Sequence, residues 1–375
     1  MTLAHAFTEP ASKPSSPFEP IHAFDDSNSA AGNIGAELRL IREAAPRFRK
    51  WFRETGMPEY VETFPLAAVP YPTRFGLHRA HRTPAPLVTM TNRLVVIRWK
   101  DARGGRKTFL FEPSDVELGE NVPFYRALSD RTPKFLRRFG VTKYDDVATH
   151  VRKLGIDPAE VDYLAFDHLH VQDVRRLVGT NSPAADISPN AKVPPLFPNA
   201  KLLVQASELE LIREMHPLQA PWYQPATFRD LREGSVVPLH GDVLLGPGVA
   251  LVETPGHATG NMSLVLNTDS GIWAMSENVI AAELLTPEVS DIPGVRQAAA
   301  RWGVEAILNG NTLEATARQY NSVVKEKLIV DRSRKDSRFL QFFPSSELTK
   351  NPVNVGTAPT FVHGRLSHGR LVRES

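Results

Sequence analysis

Two short stretches carry residues whose types and spacing suit metal chemistry: Phe166-Asp-His-Leu-His-Val-Gln-Asp173 and Val252-Glu-Thr-Pro-Gly-His257-Ala-Thr-Gly260. In an extended or loop backbone, residues two apart project to the same side, so His168 and His170 are able to reach one cation. His257 follows a Pro-Gly turn and offers a third imidazole if the fold brings the stretches together. The chain has no cysteine, which leaves nitrogen and oxygen as ligands and excludes disulfides, thiolate sites, iron–sulfur clusters and a cysteine nucleophile. Each stretch alone also has a plain reading, that of loop histidines with no ligand. Asp167, just before the pair, reads as a turn residue or as a carboxylate that orients an imidazole from behind.

Other histidines carry less. His78 and His81 in Leu77-His-Arg-Ala-His81 have a spacing that lines a pocket, yet the arginines around them favour a surface loop. His216 precedes Pro221-Trp-Tyr223, whose aromatics either contact a flat apolar substrate or cap the core. There is no Gly-x-Ser-x-Gly elbow, phosphate-cradling glycine loop or His-Glu-x-x-His helix, so other hydrolase and nucleotide-binding classes gain no support.

The elements that must position the histidines follow from periodicity. An apolar strand at 161–166 leads into His168, and a strand at 250–253 leads into the His257 turn. Leu38, Ile41, Ala45, Phe48 and Trp51 recur at helical spacing and predict an amphipathic helix from Ile34. Runs at 93–99 and 108–111 flank Asp101-Ala-Arg-Gly-Gly105 and predict a hairpin. Further strands are expected at 201–205, 236–239, 243–245, 262–267, 272–275 and 304–308, and helices at 123–139, 144–154, 207–215, 295–302 and 313–329. Strands come in runs and then alternate with helices, which indicates a layered α/β domain at 34–330. Residues 1–33, poor in large apolar groups, read as a flexible arm, and 331–375 as an extended arm that suits a homo- or hetero-oligomer.

At 375 residues and 42% apolar the chain buries a large core, and 44 basic against 42 acidic residues give a net charge of +2. That balance gives no reason to expect a nucleic-acid partner and leaves a small-molecule substrate. No basic start with a continuous apolar stretch marks a secretory signal, and no run reaches the roughly 18 apolar residues of a membrane helix, so a cytoplasmic location away from membranes is expected.

Taken together and in this order, the two motifs resemble the metallo-β-lactamase superfamily, whose members carry a His-x-His-x-Asp-His loop and later a Thr-Pro-Gly-His turn. The resemblance covers most of 63–329, with Phe197-Pro-Asn-Ala-Lys201 and Glu208 to Glu210 similar to the family's middle segment. It implies an α/β fold, a four-layer αβ/βα sandwich. Carried over by position, it implies one divalent metal at His168, His170 and His257, zinc first, with iron or manganese as alternatives. Three protein ligands and an open position are the arrangement of catalytic zinc, which lowers the pKa of bound water. At the family's second site this chain departs: Gln172 stands for an aspartate, Asp173 for a histidine, Asn278 for the bridging aspartate and Asn311 for the last histidine. Amide oxygens are poor zinc ligands, so a tight second zinc is not expected. Asp173 becomes the expected catalytic proton acceptor, with a role orienting a histidine as its alternative. Glu277 is a second candidate base, and becomes a ligand if the register shifts by one.

General pattern is also similar to the branch of chlorothalonil dehalogenase and dinitroanisole O-demethylase. That implies a metal-dependent hydrolase performing hydrolytic substitution on an activated nitro- or halo-aromatic ether or halide. The alternative is a weakly catalytic or non-catalytic companion subunit of a hetero-oligomeric hydrolase of the same fold.

Overall fold

The computed structural model describes residues 17–131, 141–350 and 357–371. Two mixed sheets face each other. The first runs Glu19–Pro20, Val243–Gly246, Val249–Glu253, Met262–Thr268, Gly271–Ser276 and Phe342–Pro344, antiparallel except for the last pair. The second runs Val236–Leu239, Lys201–Gln205, Tyr163–Ala165, Arg106–Phe111, Leu87–Lys100, Tyr60–Pro72 and Ser367–Gly369, parallel over its first four strands.

Strand alternation sorts the side chains into two cores. Val95, Ile97, Trp99, Phe109 and Phe111 of the second sheet meet Leu251, Leu264, Leu266 and Met275 of the first. The opposite faces, including Leu94, Val96, Ala250, Val252 and Val265, pack against helices. Helices Ile34–Glu54 and Thr316–Ile329 cover the first sheet and touch each other, while Val147–Lys153 and Ala206–Arg213 lie with the second. This is the helix–sheet–sheet–helix layering expected from the sequence. Among the described residues no helix is long and apolar enough to cross a membrane.

Several expectations need correction. Residues 17–33 are no arm: Glu19–Pro20 pairs with Val243–Gly246, and Phe18, Ile21 and Phe24 are buried. Asn33 caps the helix that starts at Ile34, accepting from the Ala36 amide. The described part of the expected 331–375 arm, 331–350 and 357–371, folds back on its own domain through Phe342–Pro344, Ser346–Thr349 and Ser367–Gly369. The 304–308 stretch forms no ladder; it is buried at Ala306, Ile307 and Leu308, but its amides bond to helical segments, Val304 to the Ala299 carbonyl, Glu305 to the Tyr320 hydroxyl and Ile307 to the Leu284 carbonyl. The expected helix at 123–139 is found at Pro123–Arg131, and its remainder lies outside the described residues.

Candidate metal centre

The parallel strand Tyr163–Ala165 ends at the loop that presents His168 and His170, and Val249–Glu253 ends at the turn that presents His257. Gly256 makes that turn with φ of +132°, and a Cβ there would lie 2.3 Å from the Gln319 amide nitrogen. Val171, directly after His170, sits at φ +68°, a region costly for a β-branched residue, and its amide donates to the Trp222 carbonyl at 2.7 Å. Glu208 locks the loops together. Its Oε1 accepts from the Leu169 amide at 2.9 Å and the Tyr223 hydroxyl at 2.5 Å, and its Oε2 from the Gly260 amide at 3.1 Å.

The three imidazoles converge, with ring centroids 4.4, 4.6 and 5.1 Å apart and one nitrogen from each within 4.8 Å of the others. All three are buried. Each ring is held from behind by an acceptor: His168 Nδ1 by Asp167 Oδ1 at 2.5 Å, His170 Nε2 by Gln219 Oε1 at 2.6 Å, and His257 Nδ1 by the Asn309 carbonyl at 3.3 Å. Those bonds place the ring protons on the outer nitrogens and turn His168 Nε2, His170 Nδ1 and His257 Nε2 inward as lone-pair donors. His168 Nε2 is buried with no hydrogen-bond partner in the protein. A buried, unpartnered nitrogen among two more imidazoles fits a divalent cation.

Burial and charge act differently on the three rings. Burial, then the neighbouring His168, holds His257 down at about 3, and the same causes keep His170 neutral. For His168 burial acts downward, but Asp167 outweighs it and lifts the ring to about 9. Burial, opposed by His168 and reinforced by Asp167, pushes Glu277 up to about 8.

The sequence-derived residues therefore separate into two groups. His168, His170 and His257 come together, Asp167 stands behind His168, and Glu277 joins Asp167 and His168 in a second cluster with atoms within 4.8 Å. Asn311 Nδ2 lies 3.5 Å from His170 Nδ1, and Asn311 Oδ1 is buried without a partner. Asn278 instead points its amide at Glu326 Oε1 (2.9 Å) and the Thr254 carbonyl (3.3 Å). Gln172 is buried, its backbone amide donating to the Leu169 carbonyl at 3.3 Å.

Asp173 is occupied elsewhere. Both its oxygens accept from Arg175, at 3.0 Å from Nε and 2.7 Å from Nη2, with the pair fully buried and Asp186 on the far side of the guanidinium. With both oxygens taken up by Arg175, Asp173 has none turned toward the three histidines, which weighs against the role of base expected for it.

Gln219 and Asn309 were not foreseen, and nothing in their sequence context marks them. Gln219 also bonds Glu314 Oε1 at 2.5 Å and so ties the segment before Trp222 to the one after Asn311. His216 is exposed, and His78 packs its ring against Gly310. Trp222 is buried and stacks on Phe124 at 4.1 Å, with Phe75 edge-on at 5.7 Å and the His170 ring 6.0 Å away.

Among solved structures the chain is similar to a quorum-quenching N-acyl homoserine lactone lactonase, at 17% identity and TM-score 0.42, over 66% of this chain and 86% of that one. It is also similar to AidC, a dizinc quorum-quenching lactonase in complex with a product, at 11% identity and TM-score 0.47, over 85% and 97% of the two chains. A third is hydrolase AbOPH of the beta lactamase superfamily, at 12% identity and TM-score 0.42, over 84% and 96%. No protein-family model and no curated protein matches. At these levels of likeness no residue role, metal count or substrate passes from those proteins to this one.

Proposed function

We propose that the chain is a metal-dependent hydrolase with one divalent cation, zinc first, held by His168, His170 and His257. The observation that carries this is the outward bonding of all three buried rings, with one nitrogen of each within 4.8 Å of the other two. A cation bound there supplies a Lewis acid and acidifies a water molecule. Glu277 is the carboxylate beside the imidazoles and exchanges protons with the substrate side. The Tyr71 hydroxyl donates to Asn309 Oδ1 at 2.8 Å, on the residue whose carbonyl holds His257. Asn311 brings a free amide oxygen next to His170 and orients a polar substrate group.

The finer reading is hydrolytic substitution on an activated aromatic ether or halide. What supports it is the wall formed by Trp222, Phe124 and Phe75 next to His170, suited to a flat apolar ring. The rival reading is a companion subunit with little activity of its own, favoured by the amides at 172, 278 and 311 and the arginine-clamped Asp173.

Metal analysis of the purified chain, with turnover of activated esters, lactones and nitroaryl ethers, tests the proposal. About one metal per chain and turnover abolished in His257→Ala support it. A chain that takes up no metal and turns over none of these substrates refutes it.

A further inference from the structure

The segment after Leu340 leaves one sheet and enters the other within a single residue. Phe342–Pro344 runs parallel to Gly271–Ser276 in the first sheet, and Ser346–Thr349 runs antiparallel to the 89–92 stretch in the second. Ser345 lies at the crossing. Its amide donates to the Ser276 carbonyl at 3.1 Å, and its carbonyl accepts from the Arg93 amide at 3.1 Å, so its backbone is fixed by both sheets. From there its hydroxyl donates to Asp167 Oδ2 at 2.8 Å. The other oxygen, Asp167 Oδ1, accepts from the His168 amide at 2.7 Å and from His168 Nδ1 at 2.5 Å. Glu112 Oε1 takes the Asp167 amide at 2.6 Å.

We propose that Ser345 is a positioning residue of the metal centre: its hydroxyl fixes the Asp167 carboxylate, and through it the ring of His168. The proposal rests on the reading that the three histidines hold a metal. A carboxylate held at one oxygen swings about its Cβ–Cγ bond; held at both, it presents Oδ1 to the imidazole in one direction only. Ser345 is buried, so no solvent replaces its hydroxyl, and without it Asp167 Oδ2 loses a donor in a dry setting. The crossing itself does not depend on that hydroxyl. The Leu348 amide bonds the Ile280 carbonyl at 2.6 Å, and Arg93 pairs with Glu347 at 2.8 Å in the interior. Removal of one oxygen should therefore leave the fold standing and loosen the ligand.

The test compares wild type, Ser345→Ala and Ser345→Thr. Zinc is titrated against a chromophoric chelator, the visible spectrum is taken with cobalt(II), and the His168 ring N–H is followed by nitrogen-15 NMR in metal-free protein. Ser345→Ala should bind zinc about tenfold or more weakly, the loss typical when a group behind a ligand is removed, with altered cobalt bands and a shifted ring N–H. Ser345→Thr, which keeps the hydroxyl, should restore all three. Wild-type zinc affinity and an unmoved His168 resonance in a folded Ser345→Ala overturn the proposal. Should Ser345→Ala fail to fold, Ser345→Cys, a weaker donor of similar shape, takes its place, and full zinc affinity there overturns it equally. A wild-type chain that binds no zinc defeats the metal reading, while the ring N–H of the metal-free protein still decides whether Ser345 fixes His168.

Discussion

His363 provides a stability measurement that reports directly on the docking of the C-terminal segment. Its ring is buried against Trp273, Phe343 and Phe361, with centroids at 4.7, 6.1 and 4.8 Å. Nε2 donates to the Leu340 carbonyl at 2.8 Å. Burial, with the nearby Lys335 charge adding to it, holds the ring down to about 4 against 6.5 when unfolded. Between those values the unfolded chain binds the extra proton and the folded one does not, so stability is lost as pH falls from 6.5 toward 4. Linkage puts the loss between pH 7 and pH 5 at about 2 kcal/mol from this residue alone. His363→Phe keeps a ring in the aromatic nest and forfeits the bond to Leu340, a cost of about 1 kcal/mol that is the same at both pH values. Urea unfolding of wild type and variant at pH 7 and pH 5 isolates the term, since every other titrating group cancels in the double difference. The variant should lose about 2 kcal/mol less than wild type on acidification. Equal losses in the two proteins would refute the argument that His363 is buried neutral in a docked segment.

Other consequences are testable in the same preparations. His257→Ala should lose zinc measured by elemental analysis and lose hydrolysis, while its unfolding midpoint without metal stays close to wild type. Glu208→Ala, which frees two loop amides and the Tyr223 hydroxyl, should cost about 3 kcal/mol in urea unfolding and weaken zinc binding. Arg175→Met strands a buried Asp173 carboxylate and should cost about 3–5 kcal/mol, most of it regained in the double variant with Asp173→Asn. Trp222→Ala should raise KM for aromatic substrates far more than it lowers kcat, read from initial rates.

Strong local patterns in the sequence account for what was legible in it. The helix from Ile34, the hairpin and the central strands of both sheets follow from apolar periodicity, and the three histidines from spacing within two motifs. The long strand Tyr60–Pro72 escaped because Pro65, Pro70 and Pro72 argue against a ladder. They are tolerated because Pro65 sits at a bulge and the strand's outer side is paired only at 60–62 and 67–68. Phe342–Pro344 and Ser346–Thr349 escaped for another reason. They are three and four residues long, and their partners lie far away in sequence. Asp173 was misread because its binding partner, Arg175, is visible as a neighbour in sequence but its clamp is visible only in space. Gln219 and Ser345 carry no local signal, since both act through bonds to residues far away in sequence.

The crossing at Ser345 sets an order of events during synthesis. A ribosome releases His168, His170 and His257 before it has made Ser345, so the three ligands exist before the residue that braces them. On the proposed reading, a cation captured at that stage would meet a His168 not yet fixed through Asp167, and an intersheet core without the Phe342–Pro344 edge. If the histidines hold a metal, selection among competing ions by site geometry would then be sharper in the finished chain than in the growing one.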